Sequence, residues 1–175
     1  MADYSQAFPL IAQNEGGYAD VSGDTGGETY AGITRKNFPS WSGWAIVDAN
    51  KPIQNGHVIP DAGLESDVQA FYKANFWDTV RLTEINSQRV ANFTFDWNVN
   101  SGAWAVKALQ TAVGVTADGA VGPQTIAAVN QADESTLMNT LIQARISFYN
   151  HIVENNPSQE KFLNGWIARA KSFEQ

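Results

Sequence analysis

The chain has no cysteine among its 175 residues. That absence excludes a disulfide framework and a cysteine nucleophile, and it leaves the redox compartment open. Basic residues are also scarce, since 11 Lys and Arg stand against 18 Asp and Glu and give a formal net charge of −7. Because nucleic acids are held largely by basic side chains on their phosphates, this balance argues against a nucleic-acid partner.

Long apolar runs are missing as well, so the sequence predicts no membrane span. The first residues lack the basic and apolar regions of a signal peptide, which favours synthesis in the cytoplasm without one. The two histidines, His57 and His151, are isolated, and the acidic loop from Asp20 to Asp24 lacks the full calcium-loop pattern. We therefore expect no metal and no cofactor. The serine-hydrolase elbow Gly-x-Ser-x-Gly is absent too.

Aromatic residues, in contrast, are abundant. The chain has six Trp, five Tyr and nine Phe, and its apolar fraction is 43%. This is enough for a sizeable core in one domain, or in one domain with a subdomain. We expect most of the Phe in that core and some of the Trp and Tyr along a cleft.

The apolar periodicity predicts a mainly α protein. Helices are expected to begin at or near six capping residues: Ser5, Asp61, Ser87, Ser101, Asp133 and Ser158. Pro123 fits the first position of a further helix. In residues 18–33 the helical period is lost, and the Gly, Asp and Thr content predicts a small β-hairpin or loop element after the first helix.

Glu15 lies in Asn14-Glu15-Gly16-Gly17-Tyr18, where two glycines end the first helical pattern. A carboxylate at a helix C-terminus meets the negative end of the helix dipole, which favours the protonated acid. Nine residues later Asp24 follows in a Gly-rich polar segment. One carboxyl group that donates a proton, and a second that stabilises or attacks a sugar cation or activates water, are the equipment of glycoside hydrolysis.

The run from Glu15 to Thr34 resembles the signature of the glycoside hydrolase 108 family, the N-acetylmuramidases of phage-type lysozyme character. Glu15, Asp24, the glycines and Gly32-Ile33-Thr34 fall in the order of that family. Farther along, the segments from Phe95 to Gly102 and from Asp118 to Thr125 resemble the predicted peptidoglycan-binding region that follows the family's catalytic domain. The motif Asp-Gly-x-x-Gly-Pro-x-Thr in the last segment is shared by several wall-binding modules.

This resemblance implies a lysozyme-like helical fold. Residues 1–90 would form its catalytic part and residues 91–175 a helical, predicted peptidoglycan-binding part. No Gly-, Pro- or Ser-rich linker divides the chain, so we expect the two parts to pack into one globular unit. The implied activity is hydrolysis of the β-1,4 bond between N-acetylmuramic acid and N-acetylglucosamine in the glycan strands of peptidoglycan.

The resemblance also implies roles for individual residues. Glu15 would be the general acid and Asp24 the second carboxylate, acting either on water or on the sugar. Asp24 has an alternative interpretation as an Asx-turn residue, and Glu28 competes with it for the catalytic role. Thr29 and Tyr30 are expected either to orient a water or a sugar hydroxyl, or to serve only the hairpin.

A second polar group lies on one predicted helix and comprises Asp96, Trp97, Asn98 and Asn100, with Asp96 and Asn100 on the same face. One interpretation is an ordinary polar helix face. The other is a substrate-binding wall of the sugar cleft, in which the amides recognise N-acetyl and hydroxyl groups.

Two rival functions stay open on the sequence alone. A non-catalytic peptidoglycan-binding adaptor would not need Glu15, and a chitinase-like glycosidase would differ in its tolerance of the lactyl group. A muramidase made without a signal peptide must reach the wall through a holin, as a phage endolysin, or through a secretion machine, as an antibacterial effector. An effector would also imply an immunity protein as a partner.

Overall fold

The computed structural model describes residues 1–12, 16–20 and 27–174. Within these ranges the chain forms three short strands and eight α-helices. The strands are β1 (Tyr18–Ala19), β2 (Thr29–Tyr30) and β3 (Ile33–Thr34). The helices are α1 (Tyr4–Ala12), α2 (Trp44–Ala49), α3 (Ala62–Tyr72), α4 (Gln88–Ser101), α5 (Ala103–Ala112), α6 (Pro123–Gln131), α7 (Glu134–Asn155) and α8 (Glu160–Lys171). A π-helical turn, Lys73–Trp77, continues α3.

The chain divides into two compact units. One is Tyr4–Asn75, and the other is Met1–Asp3 together with Phe76–Gln175. We call them the sheet unit, which holds the three strands and α1 to α3, and the helical unit, which holds α4 to α8. It stays a prediction that residues 1–90 form a catalytic part and residues 91–175 a peptidoglycan-binding part. Their packing into one globular unit stays a prediction as well.

The three strands of the sheet unit pair antiparallel in the order β1-β2-β3, with Tyr18 opposite Tyr30. Ala31 and Gly32 join β2 to β3, and their φ angles are 46° and 76°. Two successive positive φ angles are what a type I′ hairpin turn requires, which explains the glycine in the second place. The Tyr72 hydroxyl of α3 donates to the Ala31 carbonyl at 2.8 Å, so the helix also fixes this turn.

The core of the sheet unit is aromatic. The rings of Trp41 and Trp44 meet edge to face with centroids 5.1 Å apart, and Phe38 meets Phe71 in the same way at 4.7 Å. The Trp44 indole N–H also donates to the Phe38 carbonyl at 2.7 Å. Because helices as short as α2 are marginal in isolation, we attribute the order of this segment to ring packing.

Helix α4 is the central element of the helical unit. Eight of the nine side chains from Val90 to Asn98 are buried. The helix packs against α5 and α7, and α7 packs against α8. A helix that is buried on every face belongs inside a bundle of its neighbours.

Three of the six predicted capping residues are confirmed. The side chains of Asp61, Ser87 and Asp133 each accept a hydrogen bond from the backbone N–H three residues later, at 2.8, 3.1 and 2.9 Å. The prediction is wrong for three residues: Ser5 lies inside α1, Ser101 is the last residue of α4, and Ser158 lies in the 3-10 turn that precedes α8. The break before α5 comes from Gly102, whose φ of 59° no helix interior accepts. Pro123 is the first residue of α6, as predicted.

The predicted fold class is confirmed at this level. The described part of the chain is mainly α, and its one small sheet comes after the first helix.

Candidate active site

Glu15 and Asp24, the two residues with the strongest catalytic prediction, lie outside the described residues. The flanking residues are described on both sides: Ala12 ends α1, Gly16 and Gly17 lead into β1, and Gly27 leads into β2. These flanks and the residues that they contact define the surroundings of the site.

A cavity of about 450 Å³ lies in the sheet unit beside these flanks. It is bounded by α1, the β2–β3 turn, the segment before α3 and α3 itself. Its lining residues are Phe8, Ala12, Gly16, Tyr30, Ala31, Val58, Ile59, Pro60, Asp61, Ala62, Glu65, Val68 and Tyr72. Both Ala12 and Gly16 belong to it, so the chain reaches the cavity on each side of Glu15.

The backbone after Glu15 is held by the segment at residues 56–57. The Tyr18 N–H donates to the His57 carbonyl at 2.8 Å, and the Gly56 N–H donates to the Tyr18 carbonyl at 2.7 Å. A Cβ on Gly17 would overlap the His57 carbonyl, whereas a Cβ on Gly16 would meet open space. The second glycine of the motif is thus required by a close backbone approach.

Tyr30 and Thr29 both lie on β2, and their side chains have structural partners. The Tyr30 side chain is buried and lines the cavity, and its hydroxyl accepts a hydrogen bond from the Ile59 N–H at 3.0 Å. Thr29 is half-buried, and its hydroxyl is 3.5 Å from the Ala19 carbonyl across the sheet. Tyr30 is therefore at the cavity and supports its wall, while the substrate roles of both residues stay predictions.

Glu28 is fixed in a network of opposite charges. The Tyr18 hydroxyl donates to its carboxylate at 3.0 Å, and Arg35 and Lys51 each form an ion pair with it at 2.5 Å. Burial and this carboxylate raise the pKa of Tyr18. Asp48 completes the network, and hydrogen bonds from Arg35 and Lys51 lower its pKa to about 2. Glu28 therefore has a structural role as an anion that holds Tyr18, Arg35 and Lys51 together.

Two other carboxylates line the cavity, Asp61 and Glu65. Asp61 caps α3 by accepting from the Leu64 N–H. Glu65 is exposed, and its carboxylate is 3.4 Å from the Gln69 side-chain amide. Glu65 was not a candidate on the sequence. The apolar stripe of α3 predicts which side chains are buried, but it does not distinguish an exposed acid at a cavity from any other exposed acid.

Asp96 lies in the interior of the helical unit, where two arginines meet it. Arg145, with no exposed side-chain surface, approaches the carboxylate at 2.7 Å, and Arg169 donates to it at 2.6 and 3.0 Å. Arg145 also donates from Nε to the Tyr149 hydroxyl at 2.7 Å, and its guanidinium carbon is 5.8 Å from the centroid of the Trp97 ring. The carboxylate is 2% exposed, so these cations replace water around it.

The other members of the predicted polar group are on the same helix. Trp97 is buried, and Asn98 is buried with its amide donating to the Phe76 carbonyl at 2.9 Å. Asn100 is exposed and donates to the Asp96 carbonyl at 2.6 Å. These contacts favour the structural interpretation of the group, and its role in substrate binding stays a prediction.

The motif from Asp118 to Thr125 wraps a buried amide. The Gln110 side chain donates to Asp118 at 2.8 Å and to the Ala120 carbonyl at 3.0 Å, and it accepts from the Gly119 N–H at 2.8 Å. Asp118 also accepts from the Ala120 N–H at 2.9 Å. Because Gly119 has a φ of 83°, the turn needs a glycine there. The motif therefore has a structural reason in the connection between α5 and α6.

Two kinds of feature are absent from the described residues. Among them, no three His, Asp or Glu side chains group as metal ligands do. No described helix combines the length and apolarity that a membrane crossing requires.

The small sheet after the first helix, with a cavity at its edge and a bundle of helices following in the chain, defines a lysozyme-like, mainly α fold. A similar solved structure is that of SagA from Brucella abortus. It matches with a TM-score of 0.69 and 28% sequence identity, over 98% of this chain and 91% of that chain.

Family models match both parts of the sequence. Residues 8–102 match the model described as Glycosyl hydrolase 108, and residues 104–171 match the one described as Predicted Peptidoglycan domain. The chain belongs to the glycosyl hydrolase 108 family, as the sequence motifs predicted, and is a glycoside hydrolase. The two matches together support a peptidoglycan hydrolase. No curated protein matches the chain significantly.

Proposed function

We propose that the chain is a muramidase that hydrolyses the β-1,4 bond between N-acetylmuramic acid and N-acetylglucosamine, with Glu15 as the general acid. The observation that carries this proposal is the position of Gly16, which lines the cavity of the sheet unit. Glu15 precedes Gly16 directly, and consecutive Cα atoms are about 3.8 Å apart. The close packing of Gly17 on the His57 carbonyl anchors the motif beside the cavity.

The lining of the cavity suits a proton donor. Phe8, Ile59 and Val68 contribute apolar surface to it. Apolar surroundings favour the neutral form of a carboxylic acid, which is the form that protonates a leaving glycosidic oxygen. Tyr30 and Tyr72 give the cavity aromatic walls, and aromatic rings offer a sugar ring a flat apolar surface.

Asp24 is proposed as the second carboxylate. The contacts of its competitor support this choice, because the Glu28 carboxylate already has Tyr18, Arg35 and Lys51 as partners. A carboxylate that must attack a sugar carbon or activate a water needs a free oxygen near the bond. Glu65 lines the cavity and pairs with no cation among the described residues, so it is the further alternative.

Three substitutions separate these carboxylates. Asp24→Asn is expected to lower kcat by about two to four orders of magnitude and to leave the melting temperature near that of the wild type. Glu28→Gln is expected to lower the free energy of unfolding by about 1–3 kcal/mol, because it removes one charge from a partly buried network, and to retain most of the turnover of the folded enzyme. Glu65→Gln is expected to change neither strongly. The measurements are turnover of peptidoglycan and thermal melting of all three variants. If Glu28→Gln or Glu65→Gln loses more kcat than Asp24→Asn, the role of second carboxylate belongs to that glutamate instead.

The bond that is cleaved can be read from the products. Digestion of purified peptidoglycan, followed by borohydride reduction and mass analysis, is expected to show reduced N-acetylmuramic acid at the new fragment ends. Reduced N-acetylglucosamine ends would identify a glucosaminidase instead. Cleavage of chitin oligomers at a rate matching that of peptidoglycan would favour a chitinase-like enzyme, and failure to release any fragment would favour a non-catalytic adaptor.

We further propose a use in cell-wall lysis, either as a phage endolysin or as a secreted antibacterial effector. Both roles need a delivery step, through a holin or through a secretion machine. Only the effector needs an immunity protein that occupies the cleft, so the presence of an inhibitor among the products of neighbouring genes distinguishes the two roles.

A further inference from the structure

The cavity of the sheet unit has a buried end and an exposed rim. The buried lining residues form an apolar and aromatic end and are Phe8, Tyr30, Ile59, Val68 and Tyr72. Most of the exposed lining residues lie in one stretch of chain, residues 58–65, which leads into the first turn of α3. We call this stretch the rim. A substrate that enters the cavity must pass it.

Helix α3 turns one continuous face toward the cavity. Asp61, Glu65, Val68 and Tyr72 all line the cavity and follow one another at intervals of four, three and four residues. Residues at these intervals lie on the same side of a helix. Val68 and Tyr72 are buried, whereas Glu65 is exposed. The sequence therefore places a carboxylate at the rim, one turn before the apolar part of the same face.

The rim is acidic. No Lys, Arg or His is among the described residues that line the cavity, whereas Asp61 and Glu65 are. The Asp61 carboxylate caps α3 by accepting from the Leu64 N–H at 2.8 Å. The Glu65 carboxylate accepts one long hydrogen bond, from the Gln69 side-chain amide at 3.4 Å, and pairs with no cation among the described residues. Glu65 is thus the acid of the rim that is available to a ligand.

The charge of the rim makes the cavity selective. A carboxylate beside apolar walls acts through a lower effective dielectric than one in bulk water, so it attracts a nearby cation and repels a nearby anion. Wall glycan carries both kinds of group. Its lactyl and stem-peptide carboxylates are anions. A glucosamine without its acetyl group, or a stem peptide with a free side-chain amine, carries an ammonium.

We propose that Glu65 is a specificity-determining residue that binds an ammonium group of the substrate at the rim. The enzyme then prefers wall glycan with free amines to wall glycan whose only charges are carboxylates. This proposal rests on the proposed function, because it takes the cavity as the place where peptidoglycan is cleaved. Glu65 acts here in binding alone and takes no part in the hydrolysis. A glutamate in a first helical turn also suits the helix dipole, but that structural role does not make KM depend on the charge of the substrate.

The test is steady-state hydrolysis by the full chain and by its Glu65→Gln variant. The first pair of probes is glycan strands freed of stem peptides, one preparation fully N-acetylated and the other partly N-deacetylated. For the wild type the ratio of kcat/KM, deacetylated over acetylated, sets the preference. Glu65→Gln is expected to lower that ratio about fivefold through KM and to leave kcat unchanged for both probes.

A second pair of probes identifies which ammonium is bound. It consists of strands that keep their stem peptides, with the side-chain amines either free or chemically acetylated. An effect of Glu65→Gln in the first pair places the ammonium on the sugar, and an effect in the second pair alone places it on the stem peptide. A ratio that is the same for the wild type and Glu65→Gln in both pairs would overturn the proposal.

Charge reversal and salt give independent readouts. Glu65→Lys is expected to lower KM for the acetylated, stem-free strands, because their lactyl groups are carboxylates. In about 0.5 M salt, where the screening length is only about 4 Å, the difference between the wild type and Glu65→Gln is expected to vanish. A difference that persists unchanged in that salt would contradict an electrostatic role for Glu65.

The matched control is Asp67→Asn. Asp67 is an acid of the same helix, and its substitution removes the same charge, but it does not line the cavity. Asp67→Asn is expected to change the ratio by less than about twofold. Equal shifts in the Asp67 and Glu65 variants would show a general effect of net charge and would overturn the proposal. An equal loss of kcat on both probes in Glu65→Gln would make Glu65 catalytic, which would overturn it as well.

Failure of this proposal and failure of the proposed function give different results. If the cleaved bond is assigned wrongly, product analysis shows other reducing ends while Glu65→Gln still lowers the preference ratio. If Glu65 is assigned wrongly, the wild type still releases N-acetylmuramic ends and the ratio is the same with and without the Glu65 carboxylate.

Discussion

Glu15→Gln is expected to lower the rate of peptidoglycan hydrolysis by about two to four orders of magnitude, with the melting temperature unchanged. Glutamine keeps the shape of the side chain and removes the proton that a leaving glycosidic oxygen needs. No rate loss of this size would arise from packing, since the two side chains are nearly isosteric. The measurement is the decrease in turbidity of purified peptidoglycan, paired with thermal melting of the same preparations.

The control for this substitution is Glu160→Gln, an exposed glutamate at the start of α8 that no catalytic argument involves. It is expected to retain the wild-type rate. The wild-type rate should also fall as the pH rises past neutrality, because the acid must hold its proton to act. Lysis by Glu15→Gln at the wild-type rate would remove Glu15 from the mechanism, and a wild-type rate that keeps rising through pH 9 would speak against any carboxylic acid as the donor.

Helix boundaries were predictable where the signal is local. Asp61, Ser87 and Asp133 cap helices through a hydrogen bond to the backbone three residues on, so the sequence pattern contains the whole interaction. The prediction for Ser101 was wrong because it used the residue type alone. Serine fits a cap, but the neighbouring Gly102, with a φ of 59°, ends the helix. The sheet was expected as a hairpin or loop, and its third strand was not foreseen.

The glycines of the first motif show the limit of local reasoning. Gly16 and Gly17 look alike in sequence, as two residues that stop a helix. The structure separates them, because only Gly17 lies against the backbone of residues 56–57. That contact joins segments about forty positions apart, and no periodicity reports it.

The same limit applies to Asp96. Its helical spacing predicted that it shares a face with Asn100, and this is consistent with the hydrogen bond from Asn100 to the Asp96 carbonyl. The spacing did not reveal the partners of the carboxylate, of which Arg169 is 73 residues away. One signal was present in the sequence, namely Arg145 in the apolar stripe of α7. A charge at a core position needs a buried partner of opposite sign, so that arginine pointed to a buried acid elsewhere.

Asp96→Asn is expected to destabilise the helical unit by about 3–5 kcal/mol. The carboxylate neutralises Arg145, whose side chain is fully buried, and Arg169, whose side chain is 24% exposed. An amide in its place keeps hydrogen bonds but leaves two like charges beside each other in the interior. Removing one partner of a buried ion pair costs far more than the pair itself contributes, because the remaining charge has lost its water and its counterion. Chemical denaturation of the full chain measures the change.

A double substitution separates this structural role from a role in sugar binding. Asp96→Leu combined with Arg145→Met replaces the buried pair with apolar side chains. Well-packed apolar replacements of buried ion pairs are often neutral, so this double variant is expected to recover at least about half of the stability that Asp96→Asn loses. Asn100→Ala, on the exposed side of the same helix, serves as the control and is expected to cost less than about 1 kcal/mol. If Asp96 instead bound the substrate, Asp96→Asn would leave unfolding unchanged and raise KM for peptidoglycan. That result would return Asp96 to the wall of the cleft and would require another counterion for Arg145.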